Sequence, residues 1–341
     1  MPATLPALAI QAAGLASATA RIIPRLPLEI QANRLYDAWD GARHLIIKEY
    51  LLPAEQHVAA AREFQALRLL APFDIAPQPI FHDPTLGPVV IYEYMAGDMW
   101  DRRRPTAAGL AGLAETWLTM NSAAAAKPWL SHGHEQPLDQ IAARLQGAFG
   151  AYSDWVEAAY PPGQRAAELC LGLLERRREV VDELAHSQPV LCFCRADPRF
   201  ANVIQRPDGR IGLIDWEDSG LRDPARDLAD ILTHPNQEDL LAPDEWQAFL
   251  QPYVAERAAR DAGLPRRVHL YQALFPIFWL TVILNQGLRL AEAAQWEGWM
   301  INSLPPNQRL RRYLARALAW PQSTFAAELE QLGNVAFFPA R

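Results

Sequence analysis

Three polar residues in one short stretch offer the chain's most specific chemistry. In CRADPRFANVIQRPDGRIGLIDWED, which runs from Cys194 to Asp218, they are Asp197, Asn202 and Asp215. A loop carboxylate such as Asp197 can take a proton from a hydroxyl or orient it. Asn202 and Asp215 offer an amide oxygen and a carboxylate, the hard oxygen ligands that Mg2+ accepts. That ion takes only one or two protein carboxylates and fills its shell with water and phosphate oxygens. The set therefore suits phosphoryl transfer. A plainer reading is also open, because D-x-x-x-x-N is a short pattern and an Asp at a strand end often bonds its own turn.

Placing these residues requires a hairpin. NVIQ and IGLID are apolar, β-prone segments on either side of Pro207-Asp208-Gly209. Proline presets one turn dihedral and glycine accepts a positive one. With Asp208-Gly209 as a two-residue loop, Asn202 falls opposite Asp215, and directly opposed Cβ atoms lie roughly 4.5–5.5 Å apart. A one-residue slip would undo that pairing.

Upstream, LEIQANRLYDAW (28–39) and RHLIIKEYL (43–51) read as strands joined at Asp40-Gly41. PAEQHVAAAREFQALRLLA has helical spacing, and GPVVIYEYMAG reads as a strand ending in glycine. Beyond Asp98 helical patterns dominate, near 107–126, 136–159, 164–186, 266–292 and 306–319, broken once by strands around 188–215. The expected fold is α+β, a small sheet-rich lobe before a larger helical one. The expected divisions are a leader over 1–20, the small lobe over 21–97 and the helical lobe over 98–341.

Composition bounds the partners. The chain has 341 residues, 50% hydrophobic and 21% charged, enough for a large core, and its net charge of -7 excludes a basic nucleic-acid binder. Cys170, Cys192 and Cys194 form no CxxC pair and suit free thiols in a reducing cytoplasm. His132 and His134 lack a third ligand nearby in sequence and read as loop residues. Residues 1–20 end in Ala18-Thr19-Ala20, which mimics a cleavage site. Yet no Lys or Arg precedes the apolar run, and Pro6 and Gln11 interrupt it, so a mobile or helical leader fits better than a signal peptide. The apolar run Leu270–Leu284 is 15 residues long and contains Pro276. It reads as a buried helix, and no membrane partner is expected.

Asp197-x-x-x-x-Asn202 followed by GLIDWEDSGLRDPARDLA resembles the catalytic segment of the aminoglycoside phosphotransferase and choline kinase superfamily, relatives of the protein kinases. LIIKEY, AREFQALRLLA and VVIYEYMAG extend the resemblance over residues 25 to 235. It implies a protein kinase-like two-lobe fold. Asp197 would accept or orient the proton of a substrate hydroxyl, and Asn202 and Asp215 would hold Mg2+ against the β- and γ-phosphates. Lys48 would contact the phosphates of ATP or GTP, fixed by Glu63. The backbone from Glu93 to Met95 would meet the nucleobase. The implied acceptor is a small molecule with a hydroxyl: an amino sugar, an aminoglycoside, a choline-like amino alcohol or a sugar.

Other residues stay open between two readings. Glu217 and Asp218 could face a substrate cation or form a solvated turn. Trp279, Trp296 and Trp299 could cage a quaternary ammonium or pack a core. Asp227 reads as structural, and Asn33 as a turn residue.

Two departures from the family pattern stand out. Arg195-Ala196 replaces the usual His-Gly before the catalytic Asp, and residues 28–40 contain no glycine, so the G-x-G-x-x-G loop of protein kinases is missing. The second departure argues for a small-molecule kinase. The first keeps a non-catalytic pseudokinase in view. A Mg2+-dependent hydrolase is a third reading, but it leaves Lys48 and Glu63 unexplained.

Overall fold

The computed structural model describes residues 4–15, 21–25, 33–52, 56–101, 104–123, 161–237, 240–242, 244–292 and 306–319. The strands are β1 (Arg21–Pro24), β2 (Asn33–Asp40), β3 (Arg43–Tyr50), β4 (Pro79–Phe81), β5 (Val89–Glu93), β6 (Asp98–Met99), β7 (Cys192–Cys194), β8 (Val203–Gln205), β9 (Ile211–Leu213) and β10 (Gly220–Arg222). The helices are α1 (Leu5–Ala12), α2 (Gln56–Leu70), α3 (Ala107–Ser122), α4 (Pro161–Arg176), α5 (Arg178–His186), α6 (Pro224–Thr233), α7 (Gln247–Ala258), α8 (Leu264–Glu292) and α9 (Pro306–Ala319). Two compact units emerge. One holds Met1–His132, Leu191–Pro224 and Leu240–Ala259; the other holds Gly133–Val190, Ala225–Asp239 and Arg260–Arg341. The first unit spans residue 97 and joins the strands of 192–222 to the N-terminal sheet.

In the first unit, β1-β2-β3-β5-β4 form an antiparallel sheet. β2 and β3 pair from Asn33↔Tyr50 to Asp40↔Arg43, so their loop is Gly41-Ala42, one residue later than expected. Gly41 has φ 61°, and a glycine at the first loop position is what a tight hairpin of this kind requires. Alternation along β3 sends Leu45 and Ile47 to one face and Ile46 and Lys48 to the other. The Leu45 face, with Ala38, Val89 and Ile91, is closed by Ala9 and Ile10 of α1. The stretch expected as a leader therefore contributes to this core. Helix α2 buries Ala60, Glu63, Ala66, Leu67 and Leu70, a stripe at helical spacing with one carboxylate in it.

Strands β6-β8-β9 form a second small sheet, and β7 pairs with β10. Cys192 and Cys194 are buried free thiols. Helices α3 and α7 pack through Trp117, whose ring meets Phe249 and Tyr253 edge-on at 5.2 and 5.8 Å. Asn121 links them to β7 by donating to Phe193 O at 2.9 Å and accepting from Tyr253 Oη at 2.6 Å.

The second unit is helical where it is described. Val181 and Leu184 of α5, Ala225 and Ala229 of α6 and Leu270, Tyr271, Leu274 and Phe275 of α8 share one apolar cluster. Leu264–Leu284 of α8 is long and apolar enough to cross a membrane by length and composition, but most of it is buried inside the protein, as in a core helix. Asp261 and Arg267 form a buried bidentate pair, Nη1 to Oδ1 at 3.0 Å and Nη2 to Oδ2 at 2.6 Å.

Candidate active site

Lys48 stands on the face of β3 opposite the apolar core and is 3% exposed. A buried ammonium is costly unless it is paired. Its Nζ lies 2.7 Å from Glu63 Oε2, 2.5 Å from Asp215 Oδ1 and 3.1 Å from Glu217 Oε2. Tyr50, on the same face of β3, donates its hydroxyl to Glu63 Oε2. Burial alone would lower the lysine's pKa, but the charges of Asp215 and Glu63 outweigh it and hold Lys48 well above its ordinary value. Oxygens of Glu63, Asp215 and Glu217 lie within 4.8 Å of one another, close enough for a metal ion. Lys48 Nζ already lies within 3.1 Å of all three carboxylates, so the ammonium is the cation of this trio.

The loop after β7 brings up the other side. Phe200–Asn202 forms one 3-10 turn before β8. The hairpin pairs Val203↔Leu213 and Gln205↔Ile211, and Ile214 N donates to Asn202 O at 3.0 Å. Asn202 is therefore opposite Ile214, one residue from the expected register. The cause is a longer turn. Arg206 and Arg210 still pair, Gly209 takes φ 86°, and the loop holds three residues, Pro207 to Gly209. Asn202 and Asp215 meet all the same, because Asp215 takes a left-handed φ of 67° that turns its side chain back. Asn202 Nδ2 lies 3.3 Å from both Asp215 Oδ2 and Asp197 Oδ2.

Arg199 completes this group, and the sequence reading passed over it. Its Nε is 3.0 Å from Asp197 Oδ2 and its Nη2 is 3.0 Å from Asp215 Oδ2. Burial opposes the charged guanidinium, yet Asp197 and Asp215 raise its pKa further. Burial likewise opposes the charged Asp215, but Lys48 and Arg199 hold its carboxyl far below the usual range. The signal in the sequence was the i, i+2 spacing of Asp197 and Arg199, since an extended loop puts such residues on one side.

Arg195 is 1% exposed and acts as a brace. Its guanidinium donates to Asn202 O at 3.3 Å and Ile214 O at 2.6 Å, and lies 5.1 Å from the Trp216 ring centre. It thus ties the end of β7 to both strands of the hairpin. Ala196 sits at φ 67°, where glycine is unstrained and alanine costs about 1 kcal/mol.

The remaining candidates fall as follows. Glu217 belongs to the lysine cluster, and Asn33, on β2 rather than in a turn, donates to its Oε2 at 2.6 Å. Burial first, then Asp215 and Glu63, push the Glu217 carboxyl up to about 7 against the pull of Lys48. Asp218 is exposed, 4.0 Å from Arg62. Glu93 ends β5, its N–H donating to Gln78 O and its carboxylate taking Arg43. Met95 follows and packs closely on Gly212, where an added Cβ would lie 2.1 Å from its sulfur. Asp227 is buried. In the second unit, Trp279 donates Nε1 to Asp230 Oδ1 at 3.2 Å and meets the His234 ring at 4.3 Å, a packed setting. Trp296, Trp299, His132, His134 and the helical pattern at 136–159 lie outside the described residues.

The donor set fits Mg2+. Asp215 Oδ2 points away from Lys48, and half a turn of the Asn202 amide would put its oxygen beside it. One carboxylate and one amide leave most of an octahedral shell to phosphate oxygens and water.

A lysine on the third strand of an antiparallel sheet, its glutamate on the following helix and two carboxylates around a short hairpin define the protein kinase-like fold. The chain belongs to the phosphotransferase enzyme family, whose sequence profile matches residues 26–271. Solved structures agree in fold. A choline/ethanolamine kinase family protein from Mesorhizobium loti superposes with a TM-score of 0.61 at 20% identity, over 93% of this chain and 94% of that one. Choline kinase LicA from Streptococcus pneumoniae gives 0.59 at 20% identity, over 88% and 94%. The ternary complex of streptomycin, ATP and APH(2'')-IIa gives 0.55 at 13% identity, over 81% and 90%. No curated protein sequence matches significantly.

Proposed function

We propose that the chain transfers the γ-phosphoryl group of ATP, with Mg2+, to a hydroxyl of a small amino alcohol or amino sugar. The observation that carries this reading is one continuous network, Glu63–Lys48–Asp215–Arg199–Asp197, with Asn202 touching both aspartates. Its members divide the work. Lys48, held by Glu63, orients the nucleotide phosphates. Asp215 and Asn202 supply the metal's protein oxygens. Mg2+, when bound, neutralises charge on the β- and γ-phosphates. Asp197 takes or aligns the acceptor hydroxyl's proton. Positioning and charge stabilisation carry the reaction, since the transferring phosphoryl needs little covalent help.

The backbone from Glu93 to Met95 is assigned to the nucleobase, and Asp218 to a cationic acceptor. The acceptor class follows from choline and streptomycin in the names of structural neighbours. Buried free thiols suit a cytoplasmic enzyme. Arg195, which kept a pseudokinase in view, binds main-chain carbonyls and leaves the network whole.

The test is thermal unfolding with Mg2+ and either ATP or GTP, followed by turnover on choline, ethanolamine, aminoglycosides and simple sugars. ATP at 100 Kd should add about 2.7 kcal/mol of stability, with turnover on an amine-bearing acceptor. No stabilisation by either nucleotide would overturn the kinase reading. Stabilisation by GTP alone would correct the donor, and binding without turnover on any acceptor would favour the pseudokinase.

A further inference from the structure

Asp215 presents its two oxygens to two different cations. Oδ1 faces Lys48, at 2.5 Å, and Oδ2 faces Arg199, at 3.0 Å. Oδ2 is also the oxygen nearest Asn202, so it is where a metal shared with that amide would bind. In this structure the guanidinium of Arg199 covers it. The same guanidinium holds Asp197 through Nε at 3.0 Å. Two carboxylates that would otherwise repel each other are bridged by one planar group, which a lysine's point charge cannot imitate.

Resting on the reading above that Asp215 and Asn202 take Mg2+, we propose that Arg199 is a positioning residue that stands in for the metal. It holds Asp197 and Asp215 together before the nucleotide arrives, and the metal must displace its Nη2 from Asp215. The Nε contact to Asp197 is made by a different nitrogen on the same edge of the guanidinium, and it survives that exchange. Arg199 therefore swings about Asp197 and keeps the proton-accepting carboxylate aligned while the metal takes Asp215. The side chain is 38% exposed, so it has room to move.

This arrangement makes two effects of one substitution run in opposite directions. In Arg199→Met the competitor for Asp215 is gone, so Mn2+ binding, read by electron paramagnetic resonance with ADP and no acceptor, should tighten roughly tenfold, the size of one charge-assisted hydrogen bond. Turnover at saturating Mg2+ should fall, because Asp197 loses its contact with Arg199. Arg199→Lys, which keeps the charge but can reach only one carboxylate, should lie between parent and Met variant in both readings. A simple loss of structure would weaken metal binding and turnover together. Unchanged or weaker Mn2+ binding in Arg199→Met would overturn the proposal while leaving the kinase reading intact. Absence of Mn2+ binding in the parent protein would overturn both. Should Arg199→Met fail to fold, Arg199→Lys is read by the same criteria.

Discussion

Arg267 with Asp261 in one unit, and Lys48 with its carboxylates in the other, are both ion clusters removed from water, and they are built to different rules. In the first, one guanidinium meets one carboxylate through two parallel hydrogen bonds, and both side chains are 5% exposed. Charge is balanced within the pair, and Val190 N–H donates to the same carboxylate at 3.2 Å. In the second, Lys48 and Arg199 face four carboxylates, Glu63, Asp197, Asp215 and Glu217. Burial first, and then this excess of negative charge, raises the carboxyl of Glu217. A balanced pair locks a fold. An unbalanced one is a place for a further cation, and perturbed groups of this kind gather where chemistry is done.

That contrast can be broken by mutation. The largest effect should come from Asp197→Asn, which should lower turnover about 1,000-fold, within the range for a general base. Its thermal stabilisation by ATP and Mg2+ should survive, and unchanged turnover would remove Asp197 from its role. Next, Asp261→Ala should lose about 3–5 kcal/mol in urea unfolding, because it strands a buried guanidinium. Asp261→Leu with Arg267→Met should regain most of that loss; if it does not, the pair does more than balance itself.

Lys48→Met should cost roughly 3 kcal/mol at pH 8 by stranding buried carboxylates, together with most of the turnover. Its pH dependence separates the two clusters. Without the pull of Lys48 the stranded carboxyls rise further, Glu217 above its parent value of about 7, so the penalty is present at high pH and fades as pH falls from that range toward the ordinary 4.5. The Asp261→Ala loss should show no such recovery.

The smallest effect sharpens the middle ground. Asp37 lies between Arg25, at 2.7 Å, and His44, at 2.6 Å, and is half-buried on β2. Burial would raise its carboxyl, but Arg25 and His44 lower it below 3.8. A lowered carboxyl adds stability above its unfolded pKa and loses it as pH falls through the folded one. Asp37→Asn should therefore cost about 1 kcal/mol at pH 7. The gap should close in urea titrations below pH 3.8, and a gap that persists there would point to packing instead of charge.

Local pattern carried much of this architecture. β3, α2 and β5 were legible because alternation, helical spacing and Gly41 each act over a few residues. Lys48 and Glu63 were placed by resemblance, and no local rule brings them within 2.7 Å. The 202–215 hairpin was readable as a hairpin but not in register, since Pro-Asp-Gly serves a two-residue or a three-residue loop equally well. Asn202 and Asp215 meet through a backbone turn at Asp215 that no propensity foretells, because left-handed φ at a non-glycine residue is imposed by its surroundings. For Arg199 the i, i+2 spacing to Asp197 was the one local signal, and its second partner, Asp215, converges only when loop and hairpin fold together. Helix α1 was legible only as one of two forms of a leader, mobile or helical, because an eight-residue helix has little pattern of its own.

That short helix has a practical consequence. Eight residues cannot hold a helix in water unaided, so α1 exists only while it lies on the sheet. A shortened chain lacking residues 1–15 would open the Ala38, Leu45, Ile47, Val89 and Ile91 face to solvent. Bare apolar sheet surfaces seek other copies of themselves. Such a preparation should cloud on concentration, and a bulky tag fused close to Leu5 should invite the same fate.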